Sequence, residues 1–215
     1  MVTVMAHVTQ PQAALPPNLV LIGYRATGKT SVGARLAEVL QRPFLDLDQV
    51  LVREAGRSVA DIDYLNTVAS STLDLDGVLI DSIRLNHPQG GLAFRFREGK
   101  HTMVFITDNE LGAARGKRIP EFVEFVRGCD LLIHDAQYLP EEISERRGWG
   151  HSTYEEVVAL AKEAEVHNLL LTHHDPSRSD AEVEKIIILA REHMSSPCKL
   201  RYIDAAREGA CYRLP

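Results

Sequence analysis

The sequence lacks the features that would place it among disulfide-rich, secreted or membrane proteins. Its three cysteines, Cys129, Cys198 and Cys211, are far apart and form no Cys-x-x-Cys pair, which argues against a disulfide framework and a thiolate zinc site. No apolar run is long enough to span a membrane. Residues 1–17 have no basic start followed by a long apolar run, so we expect a flexible tail and a cytoplasmic protein.

An excess of positive charge is also absent. Lysine and arginine number 24 against 30 aspartates and glutamates, which gives a net charge of −6. Because the charges are dispersed, the sequence predicts no general footprint for nucleic acid or an anionic membrane. With 215 residues and 45% hydrophobic content, the chain can form one large or two small globular domains.

One complete motif stands near the start of the chain. The stretch Gly23-Tyr24-Arg25-Ala26-Thr27-Gly28-Lys29-Thr30 follows the phosphate-binding pattern G-x-x-x-x-G-K-[ST]. A short apolar run precedes it, and helical spacing follows over residues 30–40, which is the strand, loop and helix order that such a site needs. The alternative is a chance glycine-rich turn between a strand and a helix.

The residue types of this motif suit a nucleotide and Mg²⁺. The loop's backbone N–H groups and the helix N-terminus bind phosphate, Lys29 reaches the β- and γ-phosphates, and the Thr30 hydroxyl ligates Mg²⁺. The residues predicted to bind ATP are Gly23, Ala26, Thr27, Gly28, Lys29, Thr30 and Ser31.

Residues 18–62 resemble the opening of shikimate kinase, a kinase that phosphorylates a hydroxyl of shikimate. The matching features are the phosphate-binding loop, the pair Asp46-x-Asp48 on the next predicted strand, and the stretch Gly-Arg-Ser-Val-Ala-Asp-Ile at 56–62. The resemblance implies that Asp46 helps to hold Mg²⁺ and that Asp48 acts in catalysis by binding the reacting hydroxyl, beside Lys29. The alternative is that the two acids simply end a strand at solvent.

The resemblance to shikimate kinase stops at Ile62. The substrate-binding arginine, the glycine-rich substrate loop and the lid of that family do not follow, and such a fold needs about five parallel strands where two are predicted. Turn-forming residues near position 70 mark a change of pattern. We therefore predict three parts, a flexible tail, a kinase-like segment and a second domain, at 1–17, 18–70 and 71–215.

The second domain begins with a predicted antiparallel meander and continues with alternating helices and strands. The meander strands are Val78–Asn86, Leu92–Glu98 and Thr102–Thr107. The alternation predicts an α/β protein with mixed sheets. The later elements are helix Pro120–Arg127, strand Asp130–His134, helices Pro140–Arg146 and Thr153–Glu165, strand Asn168–Thr172, helix Asp180–His193, and strands Lys199–Tyr202 and Ala210–Arg213.

Histidines and carboxylates follow several of these strands, where α/β sheets gather their ligands. Such side chains suit Zn²⁺ or Mn²⁺. The pattern over 78–215 resembles the C-terminal half of the metallo-β-lactamase fold, in the branch of ribonuclease Z and related phosphodiesterases. The resemblance implies that Asp108 and His173 are metal ligands and that Asp135 and His151 transfer protons.

Several residues in this half have a second interpretation. His151 could instead cap the helix that begins near Ser152, and His174 could be an exposed neighbour of the ligand. We expect His87 to be a structural turn residue and Trp149 to be a packing anchor. The predicted fold is thus a truncated P-loop βαβα unit joined to the C-terminal half of an αββα metallo-β-lactamase-like sandwich.

The metal site implied by the second resemblance is incomplete. The chain has no H-x-H-x-D-H motif, and a catalytic zinc usually takes about three ligands from the protein. The leading hypothesis is therefore an ATP-binding, shikimate-kinase-like phosphotransferase with an incomplete substrate pocket, on a fused chain. The alternatives are a metal-dependent hydrolase completed by a partner chain or a second copy, and a non-catalytic interaction module that self-associates.

Overall fold

The structure is a computed structural model of the whole chain. Residues 33–35 and 37–38 are helical, in agreement with the helix predicted over 30–40. The phosphate-binding loop at 23–31, Asp46 and Asp48 lie outside the described residues. The structure describes residues 5–7, 33–35, 37–38, 44, 72–75, 77–112, 119–194 and 198–213.

The chain divides into two compact units, one of Met1–Val68 with Ala206–Pro215 and one of Ala69–Ala205. In the first unit, strand β1 (Met5–His7) pairs in parallel with strand β9 (Cys211–Arg213). Strand β1 falls within the predicted tail, so main-chain pairing holds at least these three residues. The domain limits inferred from the sequence stay a prediction.

A seven-stranded mixed sheet forms the centre of the second unit, in the order β2-β3-β4-β5-β6-β7-β8. Neighbouring strands are antiparallel from β2 to β5 and parallel from β5 to β8, which confirms the predicted mixed α/β fold. No helix in the described ranges is long and apolar enough to cross a membrane. The elements are β2 (Leu73–Leu75), β3 (Val78–Arg84), β4 (Leu92–Glu98), β5 (His101–Ile106), α1 (Ile119–Val126), β6 (Leu131–Asp135), α2 (Ile143–Arg146), α3 (Tyr154–Glu163), β7 (Asn168–Thr172), α4 (Asp180–Glu192) and β8 (Tyr202–Ala205).

Strands β3, β4 and β5 form the predicted antiparallel meander. Glu98 pairs with His101, so the turn between β4 and β5 contains only Gly99 and Lys100. Gly99 has a φ of 56°, which glycine adopts without strain at the first central position of a tight hairpin turn. The local sequence therefore fixes the register that leads into β5.

The core of the second unit lies around β6 and β7. All five residues of β6 are buried, and the three leucines 169–171 of β7 are fully buried, as expected of parallel strands covered on both faces. Helix α3 contacts both strands and also packs against α1 and α4, burying Val157, Val158 and Ala161. Each buried valine contributes about 1.5–3 kcal/mol and the alanine less, so this core fixes the strand ends that carry the polar residues.

Two predicted elements differ from the structure. The strand predicted at Lys199–Tyr202 lies at Tyr202–Ala205, because pairing with β7 sets Ile203 opposite Leu169 and buries Ile203 in the core. The helix predicted at Pro140–Arg146 is shorter in the structure, where α2 spans Ile143–Arg146, because the residues before Ile143 form turns. The other helices and strands predicted for this unit are confirmed, with shifts of a few residues at their ends.

Candidate functional site

The polar residues of the candidate site collect at one edge of the sheet. Strands β5, β6 and β7 are parallel, with Ile106 opposite His134 and Asp135 opposite Thr172. Their carboxyl ends therefore meet at the same edge, as they do in other α/β sheets that bind ligands. The structure thus brings together the strand ends that carry Asp108, Asp135 and His173.

Asp108 and His173 both have a left-handed backbone, with φ values of 59° and 54°. Among the described residues, Glu165 is the only other non-glycine residue with a positive φ. This conformation costs about 1–2 kcal/mol for a residue with a side chain, and such strain concentrates at functional sites. Asp108 Oδ1 and His173 Nε2 lie 3.6 Å apart.

Asp135 is the fully buried centre of a hydrogen-bond network. Its Oδ1 accepts from the Asn109 backbone N–H at 3.2 Å and lies 3.1 Å from His134 Nδ1. Its Oδ2 accepts from the Ser152 backbone N–H at 3.2 Å and from His151 Nδ1 at 3.1 Å. Burial acts to raise the pKa of Asp135, but the hydrogen bonds from His134 and His151 outweigh it and lower the pKa, so the carboxylate is ionised at neutral pH.

The network also assigns the protons of His134. Asn109 Oδ1 accepts from the Asn86 backbone N–H at 2.9 Å, so its Nδ2 is the atom 3.3 Å from His134 Nε2. Because an amide nitrogen only donates, Nε2 must accept, and the ring proton lies on Nδ1, which donates to the Asp135 carbonyl at 2.8 Å. His134 is therefore a neutral residue that orients Asp135.

His151 is held in one orientation by the Asp135 carboxylate. Since Nδ1–H donates to Asp135, the lone pair of the neutral ring is on Nε2. The ring stacks on His173 at 4.8 Å between centroids and meets the edge of Tyr138 at 5.9 Å, and 11% of the His151 side chain is exposed. A carboxylate that fixes the tautomer and raises the basicity of a histidine is typical of metal sites and of proton-transfer sites.

Helix α3 is capped by Thr153, so the alternative that His151 serves as its cap is wrong. The Thr153 side chain accepts from the Glu156 backbone N–H, and the Glu156 carboxylate accepts from the Thr153 N–H, which is a complete capping box. The neighbouring Ser152 Oγ donates to the Asn109 carbonyl at 2.6 Å. The start of α3 is thereby tied to the end of β5, and the His151 side chain is left to the site.

The buried carboxylate of Glu110 holds the loop that leads to His151. It accepts from the Gly148 N–H at 2.9 and 3.0 Å and from the Gly150 N–H at 3.0 Å. Neither Asn109 nor Glu110 was predicted from the sequence to be a site residue. The signal that could have found them is a run of polar residues directly after the buried strand β5.

Trp149 lies between these two glycines and is 61% exposed. The prediction that it is a packing anchor is therefore wrong. The two glycines have φ values of 89° and 96°, which turn the chain so that the indole is not directed into the core.

His87 lies at the site, although the sequence predicted a structural turn residue. One ring nitrogen of His87, one of His151 and one carboxylate oxygen of Asp108 all lie within 4.8 Å of one another. His87 Nδ1 accepts from the Gln89 backbone N–H at 3.2 Å, so the proton of the neutral ring is on Nε2. Burial is the largest effect on the pKa of His87, which is lowered, so the ring is neutral. These three residues could together hold a metal ion, and His87 would bind it through Nε2 only in the tautomer with the proton on Nδ1.

His174 does not have the exposed ring that the sequence allowed for. Both of its ring nitrogens are buried without a hydrogen-bond partner of good geometry. Burial, and then the charge of Arg178, lower its pKa to about 4, so the ring is neutral at pH 7. We therefore assign His174 to packing behind the strand end that carries His173.

The carboxylate oxygen of Asp108 and the ring nitrogen of His173 are suitable ligand atoms for a divalent metal. Two ligands at ~2.0–2.1 Å from a tetrahedral zinc are about 3.4 Å apart, close to the 3.6 Å between Asp108 Oδ1 and His173 Nε2. A carboxylate oxygen with an imidazole nitrogen suits Zn²⁺ or Mn²⁺. These two residues alone fall short of the usual set of about three protein ligands.

The mixed sheet, with its polar residues at the strand ends, has the arrangement of an α/β protein of metallo-β-lactamase-like fold, and a segment of another kind precedes it in sequence. Residues 25–65 match the family model of shikimate kinase. The shikimate kinase of Syntrophus aciditrophicus is 56% identical over 45 residues, which is 21% of this chain and 23% of that protein. The ribonuclease Z of Myxococcus xanthus is 30% identical over 118 residues, covering 50% of this chain and 36% of that protein.

Among solved structures, the metallo-β-lactamase fold protein YhfI from Bacillus subtilis matches with a TM-score of 0.53 and 22% identity, over 70% of this chain and 59% of that chain. This match shows the fold, and the two resemblances inferred from the sequence are confirmed. The chain spans about a quarter of the shikimate kinase relative and about a third of the ribonuclease Z relative.

Proposed function

We propose that the second unit is the carboxyl-terminal part of a metal-dependent phosphodiester hydrolase centre. The observation that carries this proposal is the stacking of His173 on His151 at 4.8 Å. That contact supports the proposal, because it brings the proposed ligand pair, Asp108 and His173, next to the proposed proton-transfer pair, Asp135 and His151. Metal-dependent hydrolysis of a phosphodiester combines these two functions at one site.

Each residue has a defined role in this proposal. Asp108 Oδ1 and His173 Nε2 hold the metal, which when bound polarises the phosphoryl group and activates water. His151 accepts or delivers a proton at Nε2. Asp135 keeps His151 in the required tautomer and stabilises the charged imidazole when it forms.

Metal binding tests the ligand pair in the full chain. After dialysis against a chelator, titration with Zn²⁺ or Mn²⁺ should show binding that Asp108→Asn and His173→Ala abolish. The matched control is Asp130→Asn, because Asp130 lies before β6 and binds the Thr102 N–H instead of a site residue. Metal binding that Asp108→Asn leaves unchanged would exclude this site.

Catalysis requires further ligands, which we propose a partner chain or a second copy supplies. The expected result is hydrolysis of bis(p-nitrophenyl) phosphate only by the metal-loaded assembly, with loss of activity in His151→Gln while metal binding persists. Retention of activity in His151→Gln would contradict the proton-transfer role. A chain that self-associates without binding metal would instead favour an interaction module.

Nucleotide binding by the first unit is the second candidate. It is favoured by the match of residues 25–65 to shikimate kinase and by the complete phosphate-binding motif, with ATP, Mg²⁺ and shikimate as ligands. Calorimetric titration with ADP in Mg²⁺ should show binding that Lys29→Ala removes. Absence of ADP binding by a folded chain would reject this candidate function. We also propose that the protein is cytoplasmic.

A further inference from the structure

Arg178 is a buried arginine that follows the proposed metal ligand His173 by five positions. Its side chain is only 8% exposed. Its Nη2 donates to the Glu142 carboxylate and, at 3.3 Å, to the Gln137 carbonyl, while its buried Nε finds no hydrogen-bond partner among the described residues. Replacement of a buried ion pair by apolar side chains often leaves stability unchanged or higher. The arginine therefore needs an explanation other than stability.

Both acceptors of Arg178 belong to the segment that follows β6, the strand that ends at Asp135. Glu142 Oε2 also accepts from the Leu139 N–H at 2.8 Å, so the carboxylate is fixed to the backbone of this segment. The guanidinium therefore joins the segment after β7 to the segment after β6.

Tyr138 extends this connection to His151. The Tyr138 N–H donates to the Ser152 carbonyl at 3.3 Å, and its ring meets the edge of the His151 ring at 5.9 Å. The Arg146 guanidinium lies 4.9 Å from the centre of the Tyr138 ring, with Nη1 3.3 Å from Glu142 Oε2. The carboxylate that binds Arg178 is thus part of the packing around His151.

The backbone at His173 is held in a strained conformation. Its φ of 54° is left-handed, and a residue with a side chain keeps this conformation only where the surrounding structure fixes it. On one side, β7 holds the chain in the sheet up to Thr172. On the other side, Asp175 Oδ1 accepts from the N–H and the hydroxyl of Ser177 at 2.9 and 2.6 Å. The Arg178 N–H donates to the Asp175 carbonyl at 2.9 Å, so a compact turn connects the arginine to the strained residue.

We propose that Arg178 is a positioning residue, which holds the His173 ring in its metal-binding orientation by tying the segment after β7 to the segment after β6. The inference rests on the proposed hydrolase function, in which His173 is a ligand, and adds the residue that orients this ligand. Arginine suits the task because its planar guanidinium presents N–H donors in fixed directions, whereas lysine ends in one ammonium on a flexible stem. Loss of a group that orients a metal ligand typically lowers metal affinity about 10- to 100-fold.

Arg178→Met tests this role in the full chain, because methionine keeps an unbranched apolar side chain and removes the donors. After dialysis against a chelator, calorimetric titration should show the affinity for Zn²⁺ lowered about 10- to 100-fold. Arg178→Lys should recover part of this loss, since its ammonium can keep the ion pair with Glu142. The control is Arg201→Met, which replaces an exposed arginine of the same unit and should bind Zn²⁺ as the original chain does.

Proton NMR without metal reports the orientation of the His173 ring. His173 stacks on His151 at 4.8 Å, so each ring shifts the carbon-bound protons of the other, and His173→Gln identifies these signals. Arg178→Met should lose this ring-current shift while its urea midpoint stays close to that of the original chain. Should the lone charge of Glu142 unfold this variant, Arg178→Met with Glu142→Gln, which removes both charges, is measured by the same two assays.

An unchanged ring-current shift in Arg178→Met would overturn the inference, and so would a loss of affinity for Zn²⁺ that Arg201→Met reproduces. A loss of affinity that only follows a loss of urea stability would show a purely structural role and would also overturn it. Zn²⁺ binding that depends on Asp108 but not on Arg178 rejects this inference and leaves the hydrolase proposal standing. Loss of the ring-current shift in a chain that binds no Zn²⁺ supports the positioning role and rejects the hydrolase proposal.

Discussion

Replacement of Asp135 by asparagine tests the hydrogen-bond network at the centre of the site. The carboxylate is fully buried and is approached by four N–H donors at 3.1–3.2 Å. Asparagine has nearly the same shape but keeps only one acceptor oxygen, and its NH₂ group must face donors. The substitution therefore changes hydrogen bonding with little change in packing.

The cost depends on where the NH₂ group lies. At the Oδ1 position the NH₂ group would face two other donors, the Asn109 N–H and the Nδ1–H of His134, and the tautomer of His134 is fixed. At the Oδ2 position His151 can move its proton to Nε2 and accept, which leaves only the Ser152 N–H without an acceptor. One buried orphan donor costs about 1–3 kcal/mol, and loss of the charged acceptor about 1.5–3 kcal/mol. We expect Asp135→Asn to lower the free energy of unfolding by about 3–5 kcal/mol.

Urea unfolding followed by far-UV circular dichroism measures this change. Tryptophan emission is a weaker probe, because Trp149 is already exposed in the folded chain. The control is Glu124→Gln, whose side chain is 75% exposed and whose substitution should cost less than about 0.5 kcal/mol. Nitrogen NMR should find the His151 proton on Nε2 in the variant. A loss of stability below about 1 kcal/mol, or a proton that stays on Nδ1, would refute the reasoning.

Further predictions concern the loop, a carboxylate on β3 and a helix cap. Gly150→Ala should lower stability by about 2–3 kcal/mol in urea unfolding, because a Cβ there would contact His87, whereas Gly148→Ala, with φ of 89° and open space, should cost about 1 kcal/mol. Burial acts to raise the pKa of Asp81, but hydrogen bonds and two arginines outweigh it and lower the pKa below 3.8. The ionised carboxylate therefore stabilises the fold at neutral pH, and this stabilisation is lost as the pH falls below 3.8. In Asp81→Asn, the melting temperature should fall less steeply with decreasing pH in this acid range. Thr153→Ala should lower the free energy of unfolding, measured in urea, by about 1–2 kcal/mol, because the α3 cap is lost. No change in urea unfolding would show that the cap is dispensable.

Most elements of the second unit could be predicted because their signals are local. The length and apolar content of β6 and β7, and the glycine turn before β5, identify strands without reference to distant residues. The displaced strand β8 shows the limit of such signals. The pattern at Lys199–Tyr202 is as regular as that of a strand, but the pairing of Ile203 with Leu169 decides where the strand lies.

The candidate site could be predicted only in part for the same reason. Asp108, Asp135 and His173 follow strands, and parallel strands bring their carboxyl ends together. The roles of Asn109 and Glu110 depend on contacts with distant segments, such as the hydrogen bond from Gly148 across 38 positions of sequence. No local pattern predicts such a contact.

His87 provides a final test of the hydrogen-bond assignments at this site. Its Nδ1 accepts from the Gln89 N–H, so binding a metal through Nε2 would require the opposite tautomer and the loss of that hydrogen bond. His87→Gln keeps an N–H donor without an imidazole. Zinc titration should therefore give an affinity within about threefold of the original chain, whereas Asp108→Asn should lower it by more than about tenfold. An equal loss in both variants would mean that the His87 ring changes tautomer and ligates the metal, which would make it the third protein ligand of the site.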